Sequence, residues 1–252
     1  MLKLVLRAAC GGALVLASGC GEGEKGGSAD TSAQFVAAAD PLAARLASGQ
    51  VPPASDPVAK AYEAEAVRAL KALGTPALPD EGFESFQKLC GKAANIVGGY
   101  VSVGTETVPA AARPAAMERN LEARFDQLFN PLLFSAHCSA AHLPFLAETV
   151  GDKTGDRTDA LAQVRTGAFG QASGLIEMAQ AEGVEPARRR QILDLLAQDA
   201  AHFAIALNPA QRQQLVASAD TLRASVPEDQ RAQADRIKAA IAGAECGPLC
   251  KM

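Results

Sequence analysis

The chain has 252 residues, with 24 basic and 28 acidic side chains, a formal charge of −4 at neutral pH, and no tryptophan beside nine phenylalanines and two tyrosines. The charges are interspersed and mildly acidic, so no surface for tracking phosphates is expected and nucleic acid is not a predicted partner. The small aromatic supply argues against stacking platforms for bases, sugars or quaternary amines, and the length suffices for one good core or two small ones.

The first residues, MLKLVLR, carry Lys3 and Arg7 as their only charges, and a short uncharged run then ends in Leu16-Ala17-Ser18-Gly19-Cys20. Basic residues, a short apolar segment and small residues before a cut site are the anatomy of a secretory signal, too short for a lasting membrane span. With a cysteine directly after the small residues, residues 1–20 resemble a bacterial lipoprotein signal, although Ala17 stands where Leu is commoner. The resemblance implies removal of residues 1–19 and lipidation of Cys20 on sulfur, as by palmitate. Several acyl chains suffice for stable membrane attachment. Gly21, rather than Asp, follows the cysteine, which by the enterobacterial sorting pattern implies the outer membrane with the domain facing the periplasm. Loss of Lys3 and Arg7 leaves 22 basic residues against 28 acidic, a formal charge of −6.

Residues 20–31 read as a flexible tether. Residues 21–26 formally match G-x-G-x-x-G, but that fingerprint works only between a strand and a helix, and here it follows an anchor in a Gly-rich charged stretch.

Residues 32–252 are rich in alanine and poor in β-branched alternation, which predicts an all-α, antiparallel multi-helix bundle. Asp56-Pro57, Asn130-Pro131 and Asn208-Pro209 each place a capping side chain before a proline at a first helical position. The expected helices are 32–48 (broken at Pro41), 56–73, 80–103, 114–130, 131–149, 157–182, 186–207, 209–225 and 228–245. VPPASDP and GTPALPDEG are connections, and GDKTGD at 151–156 is the best candidate for a sub-boundary. In 80–103, Phe83, Phe86, Leu89, Cys90, Ile96, Val97, Tyr100 and Val101 recur at helical spacing. No charge follows Lys92 in that helix, so its second half is expected to be buried on every side. In 157–182, Gly167, Gly170 and Gly174 share one face, which suggests close approach by a neighbouring helix. YVSVGTETV, 100–108, alternates like a strand but has no comparable run to pair with, so it is read as a helix end followed by a loop. Residues 127–147 are uncharged, yet Gln127, Asn130, two prolines and two histidines make them a poor membrane span and a plausible buried helix pair.

Beyond Cys10 and Cys20, four cysteines remain: Cys90, Cys138, Cys246 and Cys250. An even number in an oxidising compartment points to two disulfides that cross-link the bundle. Of the three pairings, Cys90–Cys138 with Cys246–Cys250 is favoured, because Cys90 and Cys138 lie on apolar arcs and CGPLC closes a small terminal loop. In a chain-entropy description the longer loop contributes about 4 kcal/mol. CGPLC is one residue longer than a thioredoxin-type C-x-x-C, which argues against redox catalysis.

Two of the three histidines flank a cysteine in FSAHCSAAH, 134–142. Cys138 and His142, four apart, share a helix face, whereas His137 points away from both. A metal site would need His202 or a carboxylate as a third ligand, and it would leave Cys90 unpaired, so the disulfide reading is preferred and no metal or other cofactor is predicted. In 186–207, Asp199 falls within the apolar face of Ile192, Leu195, Leu196, Phe203 and Ala206, with His202 at its edge. Arg165 falls among Leu161, Ala168 and Ala172 in its own helix. A charge buried without a partner costs several kcal/mol, so Asp199 is expected to meet Arg165, His202 or both, as a core network or, less often, as an acid/base site.

H-E-x-x-H, the Walker loop, the G-x-S-x-G elbow and paired-carboxylate helix motifs are absent from the sequence. LNPAQRQQL, 207–215, and more weakly VPEDQRAQA, 226–234, resemble the Leu-Thr-x-x-Gln helix starts of the Spy/CpxP group of periplasmic stress chaperones, with Asn208 and Val226 in place of Thr. Capping alone also explains these residues. The leading expectation is a lipid-anchored binding protein of the cell envelope without catalytic activity. Its partner would be an envelope protein, or a secreted toxin if it acts as an immunity factor. A chaperone-like helical module, and a metal-binding or hydrolytic enzyme using Asp199 and His202, are the alternatives.

Overall fold

A computed structural model of the chain describes residues 29–72, 83–150, 158–247 and 249–250. The signal-like segment, Cys20, most of the tether, and the 151–156 sub-boundary lie outside the described residues. Among those residues the chain forms nine α-helices and no strand. They are α1 (Ala29–Ala47), α2 (Pro57–Ala72), α3 (Phe83–Ser102), α4 (Arg113–Ala123), α5 (Phe125–Val150), α6 (Thr158–Gln180), α7 (Pro186–Ile205), α8 (Pro209–Ser225) and α9 (Arg231–Gly243). Short 3₁₀ turns at Ala110–Ala112 and Glu228–Gln230 lead into α4 and α9. The fold is the all-α, disulfide cross-linked helical architecture expected from the sequence. No helix among the described residues is long and apolar enough to cross a membrane, the uncharged stretch at 127–147 included.

Three expected features of the helices are corrected. Pro41 lies inside α1 without ending it. The stripe Phe35, Ala39, Leu42 and Leu46 is buried on both sides of the proline, and packing of that face outweighs one lost hydrogen bond. The break expected at Asn130-Pro131 falls instead at Arg124, and α5 runs through both prolines. Asn130 does not cap; its amide donates to Glu63 Oε1 at 3.3 Å. The second half of α3 is not buried all round, for Ala94, Asn95 and Gly98 are exposed. Lack of charge there reflects small and neutral residues on an open face.

Other signals read as expected. Asp56 caps α2, accepting from the Val58 amide at 2.8 Å and from Arg45 at 2.6 Å. Bonding from Val58 first, with help from Arg45, holds its carboxyl below the usual range. α3 stops at Ser102, and Gly104 follows with φ of 73°, a left-handed turn that a strand through YVSVGTETV would not contain. Asn120 of α4 then donates its side-chain amide to the Val101 and Val103 carbonyls, satisfying the end of α3.

The chain divides into two compact units, one ending at Ala136 and one running from His137 onward. In the first, α1 packs against α2 and α3, and α3 against α4. The Phe35 ring meets Tyr62 and Phe134 with centroids 5.4 and 5.1 Å apart. Gly99 gives α3 its close approach to α1: a Cβ there would lie 3.1 Å from the Leu46 side chain. Tyr100 is buried, and its hydroxyl shares a 2.6 Å hydrogen bond with the Gln127 amide. Burial pushes the Tyr100 phenol up to about 12.

In the second unit α6, α7, α9 and α8 form a ring in which each helix packs on two neighbours: α6 on α7 and α8, and α9 on α7 and α8. Its core includes Leu175, Ile176, Ile192, Leu196, Phe203, Leu215, Leu222, Ile237 and Ile241. Asn208 caps α8 in a reciprocal capping box with Gln211. Replacing Asn208 with Ala removes that box, and urea denaturation is expected to show a loss of about 1 kcal/mol with an unchanged m-value.

Candidate functional site

All four cysteines singled out in the sequence are disulfide-bonded, Cys246 with Cys250 across a Cα–Cα distance of 5.3 Å. Cys138 therefore offers no thiolate to a metal. Among the described residues no group of three His, Cys, Asp or Glu side chains is placed to hold an ion. His142 lies one turn after Cys138, as the spacing requires, but its Nδ1–H donates to the Cys138 carbonyl at 3.0 Å. Burial lowers the pKa of His142 and favours the neutral ring.

The polar centre of the second unit is Asp199. It sits in α7 among Leu195, Leu196, Ala200 and Phe203 and has no exposed surface. Its partner is not Arg165 but His137, whose Nδ1–H donates to Asp199 Oδ2 at 2.7 Å, with side-chain exposures of 2% and 0%. Desolvation raises the Asp199 pKa, opposed by the bond and charge of His137 and by the charge of His202. His202 is within electrostatic reach of Asp199 but makes no hydrogen bond to the carboxylate. Arg165 donates Nη2 to the Leu249 carbonyl at 2.8 Å. The expected Arg165–Asp199 pair is therefore corrected: His137 supplies the donor to the carboxylate, and Arg165 binds the Leu249 carbonyl. A second polar tie joins α5 to α6, where Gln171 donates to Ser139 Oγ at 3.0 Å.

His137 carried a sequence signal that spacing along α5 obscured. It lies off the Cys138–His142 face, yet it is one of two titratable side chains in an otherwise uncharged stretch. A carboxylate on an apolar face needs such a partner from a neighbouring helix.

A carboxylate holding Nδ1–H of a histidine orients the ring and leaves Nε2 to act as a base where substrate can reach it. Here His137 Nε2, Asp199 Oδ1 and His202 Nδ1 are buried and make no hydrogen bond among the described residues. His137 and Asp199 are closed to solvent, so the arrangement as placed cross-links α5 to α7. No protein-family model, curated protein or solved structure matches the chain.

Two measurements bear on this pair. His137→Leu strands a buried carboxylate and is expected to cost about 3–5 kcal/mol in urea denaturation, whereas the double variant His137→Leu/Asp199→Leu recovers most of the loss. Asp199 is an acid whose folded pKa lies above its ordinary value of 3.8, so its contribution to stability is full below that value and declines as pH rises through the folded pKa. Relative to Asp199→Asn, the wild-type urea midpoint is therefore expected to fall as pH rises from about 3.8, and a pH-independent difference would contradict the assignment.

Proposed function

We propose that the protein is a lipid-anchored interaction protein of the bacterial cell envelope, held on Cys20 and facing the periplasm from the outer membrane. The observation that carries this reading is the sequence from Lys3 to Cys20, a basic start, a short apolar run and Leu-Ala-Ser-Gly-Cys. Oxidation of all four remaining cysteines supports it, because disulfides persist in oxidising compartments. Several residues with chemistry to offer are engaged in internal bonds. Asp199 is bound to His137, Arg165 to the Leu249 carbonyl, and Cys138 in a disulfide. That supports recognition of a protein partner over catalysis, a secreted toxin met by an immunity factor being one such partner. The chaperone-like alternative loses its specific support, since the Asn208 and Gln211 of LNPAQRQQL are accounted for by the capping box.

The test is expression of the full-length chain in a bacterial host, followed by membrane fractionation and intact mass. The wild type is expected in the membrane fraction with acyl chains on Cys20. Cys20→Ser is expected to lose the acyl mass and leave the lipoprotein-processed form unformed. An unmodified Cys20 in the wild type would overturn the reading.

A further inference from the structure

The end of the chain is held against the second unit by main-chain recognition. Arg212 of α8 donates Nη2 to the Glu245 carbonyl at 2.9 Å and Nη1 to the Ala244 carbonyl, and Arg165 of α6 donates to the Leu249 carbonyl. Glu245 directly precedes Cys246 and Leu249 directly precedes Cys250, so each half of the disulfide follows a carbonyl bound by a guanidinium. The two halves differ in access. Cys246 is exposed, whereas Leu249 and Cys250 are buried, with 1% and 4% exposure. Cys90 and Cys138, also oxidised, are both buried, at 5% and 2%.

Thiol–disulfide exchange needs a sulfur that a thiolate can approach and a departing sulfur whose negative charge is stabilised. Cys246 meets the first requirement, and Arg165, bonded to the Leu249 carbonyl, brings a positive charge to the residue that precedes Cys250. The disulfide also bears directly on structure, because closing the loop between residues 246 and 250 limits the freedom of Leu249, the apolar anchor of this segment.

We propose that Cys246–Cys250 is a redox-operated latch, opened by a dithiol reductant that attacks Cys246, and that opening it releases the Ala244, Glu245 and Leu249 carbonyls from their guanidinium partners. The donor thiolate bonds to Cys246 Sγ, the Cys246–Cys250 bond breaks, and Cys250 leaves as a thiolate that takes a proton from solvent. The second donor thiol, deprotonated, then attacks the donor sulfur of the mixed disulfide and releases Cys246, which is protonated. Two electrons and two protons reach the pair, and the donor dithiol becomes a disulfide. The function is regulatory and consistent with a spacing unlike that of thioredoxin-type catalysts. It does not depend on the membrane anchor.

The experiment uses the full-length protein in limiting dithiothreitol without denaturant, with acid quenching, alkylation and peptide mass mapping over time. Cys246 and Cys250 are expected to become alkylated at least tenfold faster than Cys90 and Cys138. Hydrogen exchange on the same samples should show lost protection at the Cys250 amide, which donates to the Gly247 carbonyl at 3.1 Å, while α6, α7 and α8 keep theirs. Cys246→Ser/Cys250→Ser should show the same loosened segment without reductant. Simultaneous exposure of all four cysteines would mean that reduction follows unfolding and would overturn the proposal. So would a reduced pair whose Cys250 amide stays protected.

Discussion

The second unit is organised around one buried carboxylate. Asp199 has no exposed surface and sits on the apolar face of α7, so the fold must bring it a donor or leave it at a cost of several kcal/mol. That donor is His137, from the part of α5 belonging to this unit, and the 2.7 Å bond admits little rotation or sliding of α5 against α7. Apolar packing alone is non-directional and tolerates many small rearrangements. The Gln171–Ser139 bond adds a second directional tie, from α6, two residues further along the same helix. Together they set the face that α5 turns toward its neighbours, which leucine and alanine side chains specify only loosely.

Much of the secondary structure was legible because it is local. Asp56 and Asn208 sit before prolines and cap the helices they precede, and the Gln211 half of the capping box is visible in the sequence. Asn130-Pro131 has the same pattern, yet α5 passes through it. The difference lies in the flanks: Leu128, Phe129, Leu133 and Phe134 are all buried and continue a helical stripe across the proline. An internal proline costs about 3 kcal/mol. Each such side chain contributes about 1.5–3 kcal/mol on full burial, so the continuous helix wins. A cap signal thus needs its hydrophobic context before it marks a boundary.

The candidate site was half legible. That Asp199 is buried and needs a partner follows from its place in the apolar periodicity of α7, and the oxidation of the four cysteines was foreshadowed by their even number. Which side chain supplies the partner does not follow. Arg165 and His137 both lie on helices other than α7, and choosing between them requires the rotation of each helix, a tertiary quantity. The role of Arg165 was hidden for the same reason: its acceptor is a main-chain carbonyl, and every residue in the chain carries one.

Arg212 extends that pattern into a rule for sequence change. Its guanidinium binds the carbonyls of Ala204 and Leu207 at the end of α7 and those of Ala244 and Glu245 after α9. All four acceptors are backbone atoms, so this junction is indifferent to side-chain identity at those positions so far as its hydrogen bonds are concerned. The whole demand for a specific amino acid falls on position 212, where lysine lacks the planar fork that reaches several carbonyls at once. Mutational drift can therefore change the side chains at 244 and 245 without removing the hydrogen bonds that moor this stretch of chain.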